Sequence, residues 1–246
     1  MSIVFDDALV ARASVTTPHS NPTLNLRPGL RQHWVGGMLN HEIGTHYLRD
    51  LNEGLQPWRK RKEKFRIEDK NPTEEGLASL HAVLEIPGHD LWSPAVLYFS
   101  TWFAATHSFA ELFAELSKYV HDPEQRWDYC VRAKRGLADT SDPGGLAKDQ
   151  VYMHGAIELL ELRRSLDFSL LYVGKVSHRD AFRLAAEGIS RLDRIQLPHF
   201  MADRDRYYSL LDDIVADNNL HDLLEQRTPP PLSWCMLLAQ CMQVKT

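Results

Sequence analysis

Leu39-Asn40-His41-Glu42-Ile43-Gly44-Thr45-His46-Tyr47 sets a glutamate directly after one histidine and a second histidine five residues after the first. Two imidazoles can hold a divalent metal, and the neighbouring carboxylate can take a proton from a water that the metal activates. The stretch therefore reads as the zinc-binding and catalytic half of a metallohydrolase. Such histidines are usually spaced by four, which leaves them about 40° apart on one helix face. Five steps of ~100° carry the second ring ~140° from the first, so a regular helix cannot aim both at one ion. Either the match is accidental or the helix is locally distorted. A single π-helical turn absorbs one residue and restores the facing geometry, and Gly44 weakens the hold of regular helix at that point. A third ligand is needed to decide.

Outward from the motif, residues 30–51 read as one helix with Trp34, Met38, Leu39 and Ile43 inward, ending near Asn52-Glu53-Gly54. Before it, Leu24-Asn25-Leu26-Arg27 alternates as a short strand and stops at Pro28-Gly29. After it, Asn71-Pro72-Thr73-Glu74-Glu75-Gly76 is a helix start, with Asn71 as cap, Pro72 in the first turn and acidic residues behind it. If that helix packs on the motif helix, Glu75 is the third ligand, with Glu74 the lesser choice, and Gly76 permits close approach. Between the two parts, residues 58–66 carry six basic residues in nine, either a solvated loop or a surface for an anionic substrate.

Further along, the aromatic-rich residues 93–119 read as one long buried helix, with His107 a core histidine rather than a ligand. Asp122-Pro123 restarts a helix that ends at Arg132-Ala133-Lys134-Arg135-Gly136, a cationic C-terminus with a glycine stop. Helical periodicity returns over 147–166, 178–195 and 203–226, and Pro229-Pro230-Pro231 precedes a short apolar stretch, 232–238.

At 246 residues, 43% hydrophobic and 25% charged, the chain suits one large domain or two small ones. It contains no apolar run of spanning length, and Met1-Ser2-Ile3-Val4-Phe5-Asp6-Asp7 is unlike a signal peptide, which points to an intracellular protein without a membrane partner. A net charge of −5 argues against nucleic acid as a partner. Cys130, Cys235 and Cys241 match no zinc-knuckle spacing and read as reduced structural thiols.

Four ordered blocks go further: His41-Glu42-Ile43-Gly44-Thr45-His46, Gln56-Pro57, Asn71-Pro72-Thr73-Glu74-Glu75-Gly76-Leu77-Ala78, and Trp127-Asp128-Tyr129-Cys130-Val131-Arg132-Ala133-Lys134-Arg135-Gly136. Together they resemble the microtubule-associated tyrosine carboxypeptidase family, which groups with bacterial proteins named for a Gln-Glu-Gly-Leu-Ala motif. The resemblance covers roughly residues 24–226, and Thr-Glu-Glu-Gly-Leu-Ala looks more like the eukaryotic, tubulin-acting members. It implies a zinc peptidase that removes the C-terminal tyrosine of α-tubulin, with one zinc ion on His41, His46 and Glu75 and with Glu42 as general base. Family members usually carry more chain before this helix, so a reduced sheet is expected.

The expected fold is α+β, predominantly helical and zincin-like, with a small N-terminal sheet and a helical C-terminal part. Residues 23–226 form the catalytic domain, 1–22 a poorly ordered leading segment, and 227–246 a Pro-rich break with an apolar tail. A carboxypeptidase must bind a free carboxylate, for which Arg132, Lys134 and Arg135 are the candidates. Tyr152 is a candidate donor to the oxyanion. The expected partner is the acidic α-tubulin tail on microtubules, and the expected location is cytoplasmic and cytoskeleton-associated. Two alternatives stand beside this: a non-catalytic microtubule-binding or regulatory protein that keeps the zinc fold, and a zinc peptidase of different specificity.

Overall fold

Alternation at Thr23-Leu24-Asn25-Leu26 turns both leucines inward and makes this strand, β3 (Thr23–Leu26), the centre of a three-stranded sheet. The computed structural model describes residues 1–9, 11–17, 21–67 and 71–225, apart from the side chain of Asn71. β1 (Ser2–Phe5) pairs parallel to β3 and β2 (Ala13–Thr16) antiparallel, in the order β1-β3-β2, with Ser2 opposite Thr23 and Val15 opposite Leu24. Two strands thus lie within the segment expected to be poorly ordered. Ile3, Val4 and Phe5 stay exposed, so these strands have no buried face of their own. Their order comes from pairing with β3, which local periodicity does not reveal. Arg12 adds an anchor, its guanidinium 3.8 Å from the Trp34 ring centroid.

A 3-10 turn at Gln32–Trp34 leads into α1 (Val35–His41), a π-helical turn (Glu42–Tyr47) and α2 (Leu48–Glu53). The distortion demanded by the histidine spacing is therefore present, centred on Gly44. The expected inward face is corrected. Leu39 is 40% and Leu51 38% exposed, while Asn40, Glu42, Thr45, Arg49 and Asn52 are buried. This helix turns polar residues inward because each finds a partner. Asn40 donates to Glu85, Asn52 exchanges two hydrogen bonds with the backbone of Gln196, and Gln56 does the same with Arg191.

α3 (Asn71–Val83) follows, with Leu77 and Leu80 wholly buried; the cap expected from the Asn71 side chain lies outside the described residues. The long helix expected over 93–119 is two helices, α4 (Trp92–Ala104) and α5 (Phe109–Leu116). Ser108 and Glu111 form a reciprocal capping box that starts α5. His107 stacks on Phe103 with ring centroids 3.8 Å apart, a packing role. α6 (Pro123–Ala133) is capped by Asp122, and Gly136 beyond it takes a positive φ. α7 (Val151–Leu162), α8 (His178–Ala186), α9 (Arg204–Asp217) and α10 (His221–Glu225) complete the described chain. Cys130 is buried, which pushes its thiol up to about 12. Cys235, Cys241 and the apolar stretch 232–238 lie outside the described residues, as does the whole expected tail, 227–246.

α3 and α7 cross at two glycines. A Cβ on Gly76 would fall inside the backbone of Gly155 and Ala156, and one on Gly155 would strike the Pro72 carbonyl. The close approach anticipated at Gly76 is thus a helix–helix contact that holds the residue beside it, Glu75, in place. Gly76→Ala is expected to cost about 3 kcal/mol by forcing the two backbones apart, measured by denaturant unfolding. A loss under about 0.5 kcal/mol contradicts this packing.

Candidate active site

The π-helical turn brings His41 and His46 to one side, with ring centroids 4.9 Å apart. α3 supplies Glu75, whose Oε2 lies 3.6 Å from His46 Nε2 and 4.0 Å from His41 Nε2. One ligand atom from each of His41, His46 and Glu75 lies within 4.8 Å of the others. All three are half-buried and line a cavity of about 340 Å³, together with Glu42, Glu74, Tyr152, Lys175 and Ala11, Ala13, Ser14 and Val15. Two imidazoles and one carboxylate, with open volume in front, suit a borderline ion that keeps a position free for water.

The supporting shell is charged and tightly tied. His46 Nδ1 bonds Glu74 Oε1 at 2.6 Å, which fixes the ring and leaves Nε2 facing Glu75. Glu74 is held from behind by the buried Arg49 and by Lys175, whose Nζ lies 3.5 Å from Oε1. Arg49 also donates to the carbonyls of Leu171 and Val176, each at 2.8 Å. Burial alone would push Glu74 up, yet Arg49 and His46 hold its carboxyl well below the usual carboxylate range. Burial and the nearby His46 lower His41 to about 4. Burial also opposes charge on His46, but hydrogen bonds to Glu74 and Glu75 prevail and raise it to about 9. The two carboxylates thus favour positive charge on the His46 ring.

Glu42 sits on the other side of His41, with Oε1 4.0 Å from His41 Nε2. Its Oε2 accepts from the Val15 N–H at 3.0 Å, so β2 forms the facing wall. Burial raises the Glu42 pKa, against the pull of His46 and of that N–H. Tyr152 lines the cavity, and the charge of Arg132, which donates to Asp149 at 2.8 Å, acts on the phenol.

The expected carboxylate binders fare differently. Lys134 is buried, its ammonium among the carbonyls of Ala104, His107, Asp142 and Gly144, so its charge closes the loop after α6. Arg135 is exposed and does not line the cavity. Nor does any residue of the 58–66 run: Trp58 is buried, Lys62 pairs with Glu53 at 2.6 Å, and Arg59, Lys60, Arg61, Lys64 and Arg66 face solvent. Arg49 and Lys175 were missed by sequence reasoning. Arg49 follows His46 by one helical turn, a usable signal, whereas Lys175 arrives on a distant loop with none.

The fold is a helical α+β domain in which two imidazoles and a carboxylate stand beside a buried glutamate. Residues 101–225 match the microtubule-associated tyrosine carboxypeptidase family, and the chain belongs to that family. It is 46% identical over 224 residues to the protein named microtubule-associated tyrosine carboxypeptidase 1 of Rattus norvegicus, covering 89% of this chain and 47% of that one. The Homo sapiens protein of the same name gives 46% over 224 residues, with the same shares of 89% and 47%. The chain spans about half the length of these curated relatives. No helix among the described residues is long and apolar enough to cross a membrane.

Proposed function

We propose that this chain is a zinc-dependent, zincin-like carboxypeptidase that removes the C-terminal tyrosine of α-tubulin. The observation that carries the proposal is the convergence of His41, His46 and Glu75 beside Glu42 in one cavity, in a chain of this family. In this reading His41, His46 and Glu75 hold one zinc ion, oriented through Glu74 and Arg49. Zinc, when bound, supplies Lewis acidity toward the scissile carbonyl and acidifies water.

The chain's own residues do the rest. Glu42, whose proton affinity is raised by burial, takes the proton of the attacking water and passes it to the leaving amine. Tyr152 lines the cavity with a phenol that burial keeps neutral, so its O–H can donate to the developing oxyanion. β2 walls the cavity and limits the water that reaches it. The exposed Arg59, Lys60, Arg61, Lys64 and Arg66 attract an acidic tail over a range that salt shortens. The partner in this reading is the microtubule, with no nucleic acid or membrane involved, and the place of action is the cytoplasmic cytoskeleton.

Lys175 binds the free carboxylate of the substrate. It is the only lysine or arginine among the described residues that line the cavity, and at 3.5 Å from Glu74 it is loosely held. Lys175→Ala is expected to raise KM for an acidic peptide ending in Glu-Tyr by about 10-fold to 100-fold, as the loss of a charge-assisted hydrogen bond does. Arg135→Ala leaves KM unchanged. Steady-state tyrosine release measures both, and an unaltered KM in Lys175→Ala rules out the carboxylate contact.

A further inference from the structure

A π-helical turn has a cost in backbone pairing. Where pairing returns from five residues to four, one carbonyl loses its helical donor. The Leu48 N–H reaches the carbonyls of Ile43 and Thr45, so the ladder steps over residue 44. The Gly44 carbonyl accepts instead from the Tyr172 hydroxyl at 2.7 Å. Tyr172 is wholly buried and comes from the 3-10 turn Phe168–Val173, far along the chain.

A second tie grips the same turn. Thr45 Oγ1 donates to the Asn40 carbonyl at 2.8 Å. Having given its one proton, it accepts from His81 Nδ1, also at 2.8 Å, and His81 Nε2 then accepts from the Tyr207 hydroxyl at 2.9 Å. Thr45, His81 and Tyr207 are buried, and neither they nor Tyr172 line the cavity. They touch the helix and nothing that would bind there.

We propose that Tyr172 is the positioning residue that locks the π-helical turn and thereby sets the metal site, with the Thr45–His81–Tyr207 chain as a second tie. The proposal rests on His41, His46 and Glu75 being the ligands. Without the turn, ~100° of helical rotation separates His46 from the direction it now faces. Without the phenol, the part-buried Gly44 carbonyl loses the donor that replaces its helical one, and the turn competes with arrangements that satisfy it.

The test compares Tyr172→Phe with Tyr208→Phe. The Tyr208 hydroxyl bonds the Leu166 carbonyl and the Phe168 N–H, so its loss removes a similar tie elsewhere. Three readouts are taken: zinc affinity by chelator competition, the visible spectrum of the cobalt-substituted protein, and amide exchange over residues 43–49 in metal-free protein. Tyr172→Phe is expected to weaken zinc binding about tenfold or more, alter the cobalt spectrum and speed the exchange. Tyr208→Phe leaves all three near wild type at a comparable loss of melting temperature. If Tyr172→Phe does not fold, Thr45→Val is read out in the same way, with Thr45→Ser expected to restore the wild-type values. Exchange and zinc affinity within about twofold of wild type in Tyr172→Phe overturn the proposal. Absence of zinc binding in the wild type defeats the ligand assignment instead, and exchange in the metal-free protein then decides the lock alone.

Discussion

Glu42→Gln lowers kcat for tyrosine release by about 10²-fold to 10⁴-fold, the range that removal of a positioned general base covers, while zinc content and melting temperature stay at wild-type values. The separation follows from geometry. Gln keeps a carbonyl oxygen that can accept from the Val15 N–H as Oε2 does, so β2 stays in place. What disappears is the capacity to take a proton, which burial has strengthened in this carboxylate. Metal analysis, a melting curve and a peptide assay on one preparation check all three parts. Turnover at the wild-type rate removes Glu42 from the mechanism.

Arg49→Met is expected to destabilise the chain by about 3–5 kcal/mol, the cost of stranding a buried charge. Arg49 is fully buried, and its guanidinium bonds the Leu171 carbonyl, the Val176 carbonyl and Glu74. Removing it leaves two carbonyls and one oxygen of Glu74, Oε2, without the donor they share. Glu74 then regains a proton more readily, and its hold on His46 Nδ1 weakens. Denaturant unfolding gives the loss, and zinc affinity should fall with it. Glu74→Gln in the Arg49→Met background should recover part of the stability, because the stranded charge is gone. A loss within about 1 kcal/mol in the single variant would mean that the ion pair holds nothing together.

The unusual spacing of His41 and His46 carried the most information in the sequence. It demanded a distorted turn, which is present at Glu42–Tyr47, and a third donor, for which Glu75 stands 3.6 Å from His46 and 4.0 Å from His41. Residues supporting that site were harder to read. Glu74 and Glu75 look alike as first-turn acids, and only the facing helix tells them apart, tying Glu74 to Arg49 and to His46 Nδ1 and leaving Glu75 near the Nε2 atoms of both His41 and His46. The buried face of the motif helix misled because its inward residues are polar, each matched by a partner far along the chain, such as Asn52 with Gln196.

Elsewhere the signals were local but overlooked or absent. Ser108-Phe109-Ala110-Glu111 spells out the capping box that divides 93–119, yet the aromatic periodicity on either side masks it. The cationic end of α6 was open to a plain structural reading, and Lys134 has that role, set among four carbonyls. β1 and β2 gain their order from pairing with β3, a non-local contact that no short window contains.

The central claim is that His41, His46, Glu75 and Glu42 form one zinc-dependent peptidase site. One measurement tests it most directly: tyrosine release from an acidic peptide ending in Glu-Tyr, followed on the zinc-loaded protein, after chelation, and after zinc is restored. The account predicts one zinc per chain, release that stops on chelation and returns with zinc, and loss of the bound zinc in His46→Ala. Release that continues at full rate in metal-free protein, or a zinc-loaded chain that leaves the tyrosine in place, contradicts it.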